Sequence, residues 1–461
     1  METIVIKNGT LISASSEAPC RADLVIADGK IGAIGHFNPE GAAHIYDASD
    51  CLVMPGGIDP HVHFALPAGG MVSADDFENG TRAALAGGTT GVIDFVTPEP
   101  GERLMDALEK RRAEADGKVL CDYSLHMSIT EWRDSIPKEM AEAAAAGTPS
   151  FKTYLAYKSG IGLSDAEYVR VLDTAAQNGY LVTTHCEHGD LVDFLREKFI
   201  REEKTTPYWH PRSRPPAAEE EAVNRAIALA STLGAALYIV HLSTAGALKA
   251  VRRARAQGLK IMAETCPHYL LLHEELYDGS FDGTARYTMS PPLRPPQHSE
   301  ALWGGLMDGT LAVLATDHCP FCTKGQKDRG RDDFTKIPNG VAGVEERMKL
   351  LWHYGAAAGR ITPAQFAALT GTNAAAIFGM AGTKGSLSVG ADADIVVWDP
   401  KLETEISAAR QVSKCDESIY EGWKTSGAPR FVFTRGKPAY TEGKVIAEPG
   451  NGQFVPRRLR L

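Results

Sequence analysis

His61-Val62-His63, Lys152, His185, His241 and Asp317 are the residues whose types and positions most plainly suggest chemistry. Each sits in or closes a short run rich in β-branched and aromatic residues: GGIDPHVHF (56–64), PSFKTYL (149–155), YLVTTHCE (180–187), ALYIVHL (236–242) and LAVLATD (311–317). Such runs read as buried strands. A period of two turns His61 and His63 to the same face of the first. Taken singly, each has a plainer reading. HxH arises by chance, a histidine in a strand is more often a satisfied core residue, and Asp317 could cap the next helix. Their coincidence towards the same end of five candidate strands is what makes them a candidate ligand set.

Imidazoles together with a carboxylate suit a zinc-like divalent ion, with Mn, Co or Fe as substitutes. Neutral histidines and one carboxylate are few donors for two ions and offer nothing to bridge them. Lys152 is the odd member. A bare ammonium inside a strand is expensive, and burial beside cations favours the neutral amine. An amine that has reacted with CO2 becomes a carbamate, an anionic group with one oxygen for each of two metals. The expectation is therefore a dinuclear site with Lys152 N-carboxylated as its bridge.

Residues so far apart in sequence meet only if the elements carrying them close into one array. Three more candidate strands, TGVIDFV (90–96), CDYSLHM (121–127) and LKIMAETC (259–266), complete the series. Between most strands lie helical patterns such as DAEYVRVLDTAAQNG, with acidic residues in the first turn and glycine at the end. This alternation predicts an α/β fold, a (β/α)8 barrel whose active site lies at the C-terminal ends of its strands. Both chain ends differ in texture: TIVIKNGTLI, ADLVIADGKIGAIG and CLVMP at the start, ADADIVVWDP and PRFVFTRGKPAYTEGKVI near the finish. They predict a small β-sandwich formed by residues 1–53 and 385–461 around a barrel of residues 54–384.

The chain has 461 residues and a formal net charge of −10, which argues against nucleic acid or an anionic membrane as partner. METIVIKNGTLI alternates like a strand and lacks the apolar stretch of a signal peptide, and no run approaches the roughly 18 apolar residues of a membrane span. A cytoplasmic location is expected. The 8 cysteines form no disulfide framework, and the pair Cys319 and Cys322 reads as incidental.

With these residues in place, the chain resembles the cyclic-amidase branch of the amidohydrolase superfamily, the dihydropyrimidinases and bacterial hydantoinases. The resemblance rests on PGGIDPHVHF, SFKTYLAYK, HCE, YIVHLS, MSPPLRP, ATDHCPF, DDFTKIPNGVAGVEER and ADADIVVWDP, in order along the whole chain. It implies hydrolysis of cyclic ureides, dihydropyrimidines or 5-substituted hydantoins, to N-carbamoyl amino acids by a metal-bridging hydroxide. It implies one metal on His61, His63, Lys152 and Asp317, another on Lys152, His185 and His241, and a homotetramer. Asp317 would shuttle the proton, and Tyr157 matches the family's oxyanion-holding tyrosine, although a core tyrosine on a loop is an equal reading of the residue alone. Ser290 and Asn339 match positions whose main-chain groups bond the ring –NH–CO–; as bare sequence they are ordinary turns. Leu66, Phe95, Tyr154 and Ile161 are expected to line the pocket for the ring substituent. The family usually has asparagine where this chain has His188, which reads as a surface loop residue.

Other members of the superfamily fit less well. A dihydroorotase would need an arginine soon after the HxH, where this chain has Phe64, Ala65 and Leu66. An allantoinase-like enzyme would face an apolar loop, FALPAGG, with a polar ureido tail. A non-catalytic scaffold similar to the dihydropyrimidinase-related proteins would have lost the ligands, and all are present here.

Overall fold

Alternating buried and half-exposed side chains build the chain's first strands in the computed structural model, which describes residues 3–14, 19–38 and 40–460. Met1 and Glu2, the start of the N-terminal strand reading, lie outside the described residues. The strands are β1 (Ile4–Leu11), β2 (Cys20–Ala27), β3 (Lys30–Gly35), β4 (His44–Asp47) and β5 (Leu52–Pro55). The barrel follows with β6 (Gly57–Asp59), a small hairpin of β7 (Pro67–Ala68) and β8 (Met71–Val72), and then β9 (Thr89–Val96), β10 (Asp122–Ser128), β11 (Ser150–Tyr154), β12 (Leu181–His185), β13 (Ala236–Ile239), β14 (Ile261–Thr265) and β15 (Val313–Leu314). β16 (Ile395–Glu405), β17 (Lys424–Thr434), β18 (Lys437–Thr441) and β19 (Lys444–Val445) return to the first sheet.

Eight parallel strands run in the order β15-β14-β13-β12-β11-β10-β9-β6. A parallel bridge from Val62 to His318, with His63 N donating to His318 O at 2.8 Å, joins the last strand to the first. The result is the (β/α)8 barrel expected. Helices between strands start and stop where their sequences direct. Asp165–Asn178 opens with a capping box of Ser164 and Glu167 and ends at Gly179, whose left-handed φ of 68° suits a residue without Cβ.

The two chain ends join in one nine-stranded mixed sheet, ordered β19-β18-β17-β16-β5-β1-β2-β3 with β4 also paired to β1. The period of two divides its side chains between two cores. Val53, Ile395, Val397, Phe431 and Phe433 pack into the sheet's own apolar cluster, whereas Met54, Val396, Trp398 and Val432 face the barrel's core. After β19 the chain leaves the sheet and runs back across the barrel, where Phe454 bridges to Tyr123 and Arg457 is fully buried. No helix of the described residues is long and apolar enough to cross a membrane.

Candidate metal centre

The barrel brings the predicted residues to one mouth by three different local devices. Lys152 is the middle residue of β11 and His185 the last of β12, in the register Lys152↔Thr183 and Tyr154↔His185. His61 and His63 lie just beyond β6, which ends at Asp59 rather than at the HxH, and the bridge through Val62 keeps that extension straight. His241 and Asp317 lie past the ends of β13 and β15 with φ of 38° and 52°, and Tyr157 after β11 has φ of 58°. A left-handed backbone costs a residue with a Cβ about 1–3 kcal/mol, and such strain gathers where side chains must be aimed.

The ligand atoms of His61, His63 and Asp317 lie within 4.8 Å of one another. Nε2 of His61 and of His63 stand 3.2 and 3.1 Å from the same Asp317 Oδ1. His61 Nδ1 meets Glu264 Oε1 at 2.5 Å, and Glu264 also accepts from Tyr238 Oη at 2.8 Å and His241 N at 3.1 Å. With its proton committed to Glu264, His61 turns an Nε2 lone pair towards a carboxylate, and that nitrogen is buried without a hydrogen-bond partner. His185 is built alike: Nε2 meets Glu187 Oε2 at 2.7 Å, Glu187 pairs with buried Arg214, and Nδ1 is left as the lone-pair nitrogen. Nδ1 of His63 and of His241 is also buried without a partner. The rings of His185 and His241 lie 4.6 Å apart, and those of His61 and His241 5.4 Å. Imidazoles of which two, His61 and His185, have their far nitrogens at carboxylates, and two, His61 and His63, converge on Asp317, offer the kind of donor set a divalent cation requires.

Electrostatics agree. Burial pushes His63, His185 and His241 below the usual imidazole range, towards the neutral form that can act as ligand. Burial alone would raise Asp317, but His61 and the neighbouring imidazoles outweigh it and hold the carboxyl well below its ordinary value. Lys152 is buried with its Nζ 4.9 Å from the Phe95 ring centroid and 5.1 Å from that of Tyr154, and burial lowers its pKa to about 8.

These residues floor a cavity of about 590 Å³. Leu66, Pro67, Ala68, Met71, Tyr154 and Ile161 form an apolar wall, and Ser290, Asn339, Arg196 and Lys336 are also on the lining. Phe95 corrects the sequence reading: it does not line the cavity but stacks 4.6 Å from the His63 ring, bracing the imidazoles from beneath. Tyr157 lies 5.1 Å from the His185 ring with the Arg214 guanidinium 5.4 Å over its face, and burial raises its pKa, keeping the phenol a donor. Ser290 Oγ and Asn339 Oδ1 are buried at this wall without partners. His188 is the N-cap of the helix Gly189–Arg201, its Nδ1 accepting from Leu191 N at 3.2 Å, a task asparagine performs equally well. Cys322 lies beside Cys415 and Asp416 rather than Cys319.

Glu264, Glu187 and Arg214 escaped the sequence reading. The only signal for the carboxylates was their place at the ends of strands already chosen, in AETC and HCE.

The model of the amidohydrolase family matches residues 52–439. The D-hydantoinase of Geobacillus stearothermophilus is 43% identical over 457 residues, spanning 99% of this chain and 96% of that protein. The dihydropyrimidinase of Dictyostelium discoideum is 39% identical over 459 residues, spanning 99% and 91%. A solved D-hydantoinase from a Bacillus sp. matches with a TM-score of 0.97 and 39% identity, over 99% of this chain and 100% of that one.

Proposed function

The chain belongs to the amidohydrolase family, as a metal-dependent cyclic amidase acting on cyclic ureides, and on that premise we propose how its barrel mouth does so. One divalent ion would be held by His61, His63, Lys152 and Asp317 and a second by Lys152, His185 and His241, with Lys152 N-carboxylated. Zinc suits imidazole and carboxylate donors best, and Mn, Co or Fe would fit the same set. The single observation carrying this reading is the convergence of His61 Nε2 and His63 Nε2 on one Asp317 oxygen at the floor of a cavity that Lys152, His185 and His241 also line. Bound there, the ions would supply an activated water at neutral pH and polarise the ring carbonyl.

The chain's own groups do the rest. Burial leaves Lys152 with a pKa of about 8, so the neutral amine that reacts with CO2 is accessible near physiological pH. Glu264 and Glu187 fix the tautomers of His61 and His185 by taking their outer protons. Asp317 accepts the proton of the attacking water and returns it to the leaving ring nitrogen. Tyr157 Oη donates to the oxyanion as the ring carbon becomes tetrahedral. Main-chain groups of Ser290 and Asn339 hold the ring –NH–CO–.

The apolar wall of Leu66, Met71, Tyr154 and Ile161 supports 5-substituted hydantoins with apolar substituents over allantoin, whose ureido tail would be stranded there. A turnover panel of dihydrouracil, hydantoin, 5-substituted hydantoins and allantoin on metal-replete protein tests this. Substituted hydantoins should lead, and turnover of allantoin alone would overturn the assignment. We further propose a cytoplasmic homotetramer, divided into a sheet unit of residues 1–53 and 385–461 and a barrel unit of residues 54–384, on the strength of the family resemblance.

A further inference from the structure

Lys327 is a buried cation with no carboxylate in contact with its ammonium among the described residues; Glu417 and Asp416 act on it only from a distance. It opens the short helix Lys327–Gly330 and is 2% exposed. Its Nζ donates instead to three main-chain carbonyls: Thr288 O at 2.9 Å, Gly340 O at 2.9 Å and Pro338 O at 3.3 Å. An ammonium has three protons, and these acceptors use them all. Hydrogen bonds from a charged donor are the stronger kind, which is how such an ion is tolerated in the interior.

The carbonyls belong to two loops that are distant in sequence and adjacent in space. Thr288 O also accepts from Gly340 N at 3.0 Å, and Met289 O meets His210 Nε2 at 2.7 Å. Gly340 has φ of 144°, and a Cβ there would fall 2.2 Å from Cys319 O, so this backbone is pressed against the segment that carries Asp317. Asn339 lies between two pinned carbonyls, and Ser290 lies two residues beyond the third.

We propose that Lys327 is a positioning residue for substrate recognition, its ammonium holding the two loops that offer main-chain groups to the ureide at one fixed separation. The inference rests on the assignment of Ser290 and Asn339 proposed above. A ring that meets a preformed pair of partners loses less free energy to ordering the protein on binding. Lys327 touches neither the metal ligands nor the reacting atoms, so its loss should weaken binding and spare the chemistry.

Lys327→Met keeps the length of the side chain and removes its donors, and Lys327→Arg keeps charge and donors. Steady-state kinetics on a 5-substituted hydantoin, metal content, and amide hydrogen exchange of the loops around 288–290 and 338–340 are compared with the native chain. Lys327→Met should raise KM about tenfold or more, equivalent to losing one charged hydrogen bond. It should leave kcat and metal content near native and speed exchange in both loops, and Lys327→Arg should recover much of the lost KM. Native KM, native exchange in both loops, or equal loss of kcat and metal would overturn the proposal. If the methionine variant does not fold, Lys327→Gln, which keeps a donor without the charge, is read by the same criteria with a smaller rise. If the native chain opens no cyclic ureide, the functional reading fails by itself, and the exchange comparison still decides whether Lys327 clamps the loops.

Discussion

The two ends of the barrel share their strands and treat buried polarity in opposite ways. At the N-terminal end, Ile58, Ile93, Leu181, Ala236 and Val313 meet Phe378 and Met380 in one apolar cluster. The guanidinium of Arg457 enters beside it and finds its acceptors within the chain: Ser124 Oγ at 2.8 Å, Ser150 Oγ at 2.7 Å, Phe378 O at 3.4 Å and the Leu125 carbonyl. At the C-terminal end, nitrogens of His61, His63 and His241 are buried without partners, and Tyr157, His241 and Asp317 hold left-handed backbone. One end is a seal, and the other leaves imidazole nitrogens free for the cation proposed above. Buried polar groups without partners cost stability wherever they occur. Others lie elsewhere in the interior, Thr148 Oγ1 and Arg347 Nε among them, but at the mouth they gather on imidazoles beside left-handed backbone, where strain and desolvation can serve binding.

Substitutions at the two ends should therefore fail differently. The largest effect is expected for Lys152→Ala, which removes the proposed bridge: metal loading and turnover should both be abolished, and a short-chain carboxylic acid should partly restore them. A fully metallated, active alanine variant would reduce Lys152 to a structural residue. Tyr157→Phe keeps the ring and the fold and removes one donor, so kcat should fall about a hundredfold or more with metal content unchanged. A rise in KM alone would make the tyrosine a ground-state contact. At the sealed end, Phe378→Ala opens a cavity beside Tyr238, whose ring lies 5.0 Å away. It should cost about 3–5 kcal/mol of stability, read as a lower melting temperature. Metal content and kcat of the folded fraction should stay near native, which is the smallest effect on function of the three. Loss of metal in that variant would show that the two ends are coupled.

The barrel is legible in the sequence because its strands are short apolar runs and its helices carry caps, as at Ser164, Glu167 and Gly179. The candidate ligands are legible because histidine, lysine and aspartate in or near strand ends are chemically conspicuous. What surrounds them is not. Glu264 stands 203 residues from His61, and Lys327 stands 39 from Thr288, so neither partnership leaves a local pattern. Phe95 misleads for a related reason. Its place near the end of β9 is visible, but only the packed barrel shows its ring beneath His63 instead of on the cavity wall. The HxH is displaced from the strand proper because the β6 ladder ends at Asp59 and a single bridge to His318 carries the extension onward.

The central claim is that the mouth of the barrel is a dinuclear centre bridged by a carboxylated lysine, and counting metal tests it most directly. Protein prepared with a divalent metal and bicarbonate present should contain about two tightly bound ions per chain and lose activity on chelation. Fewer than one tightly bound ion per chain in that preparation would contradict the account.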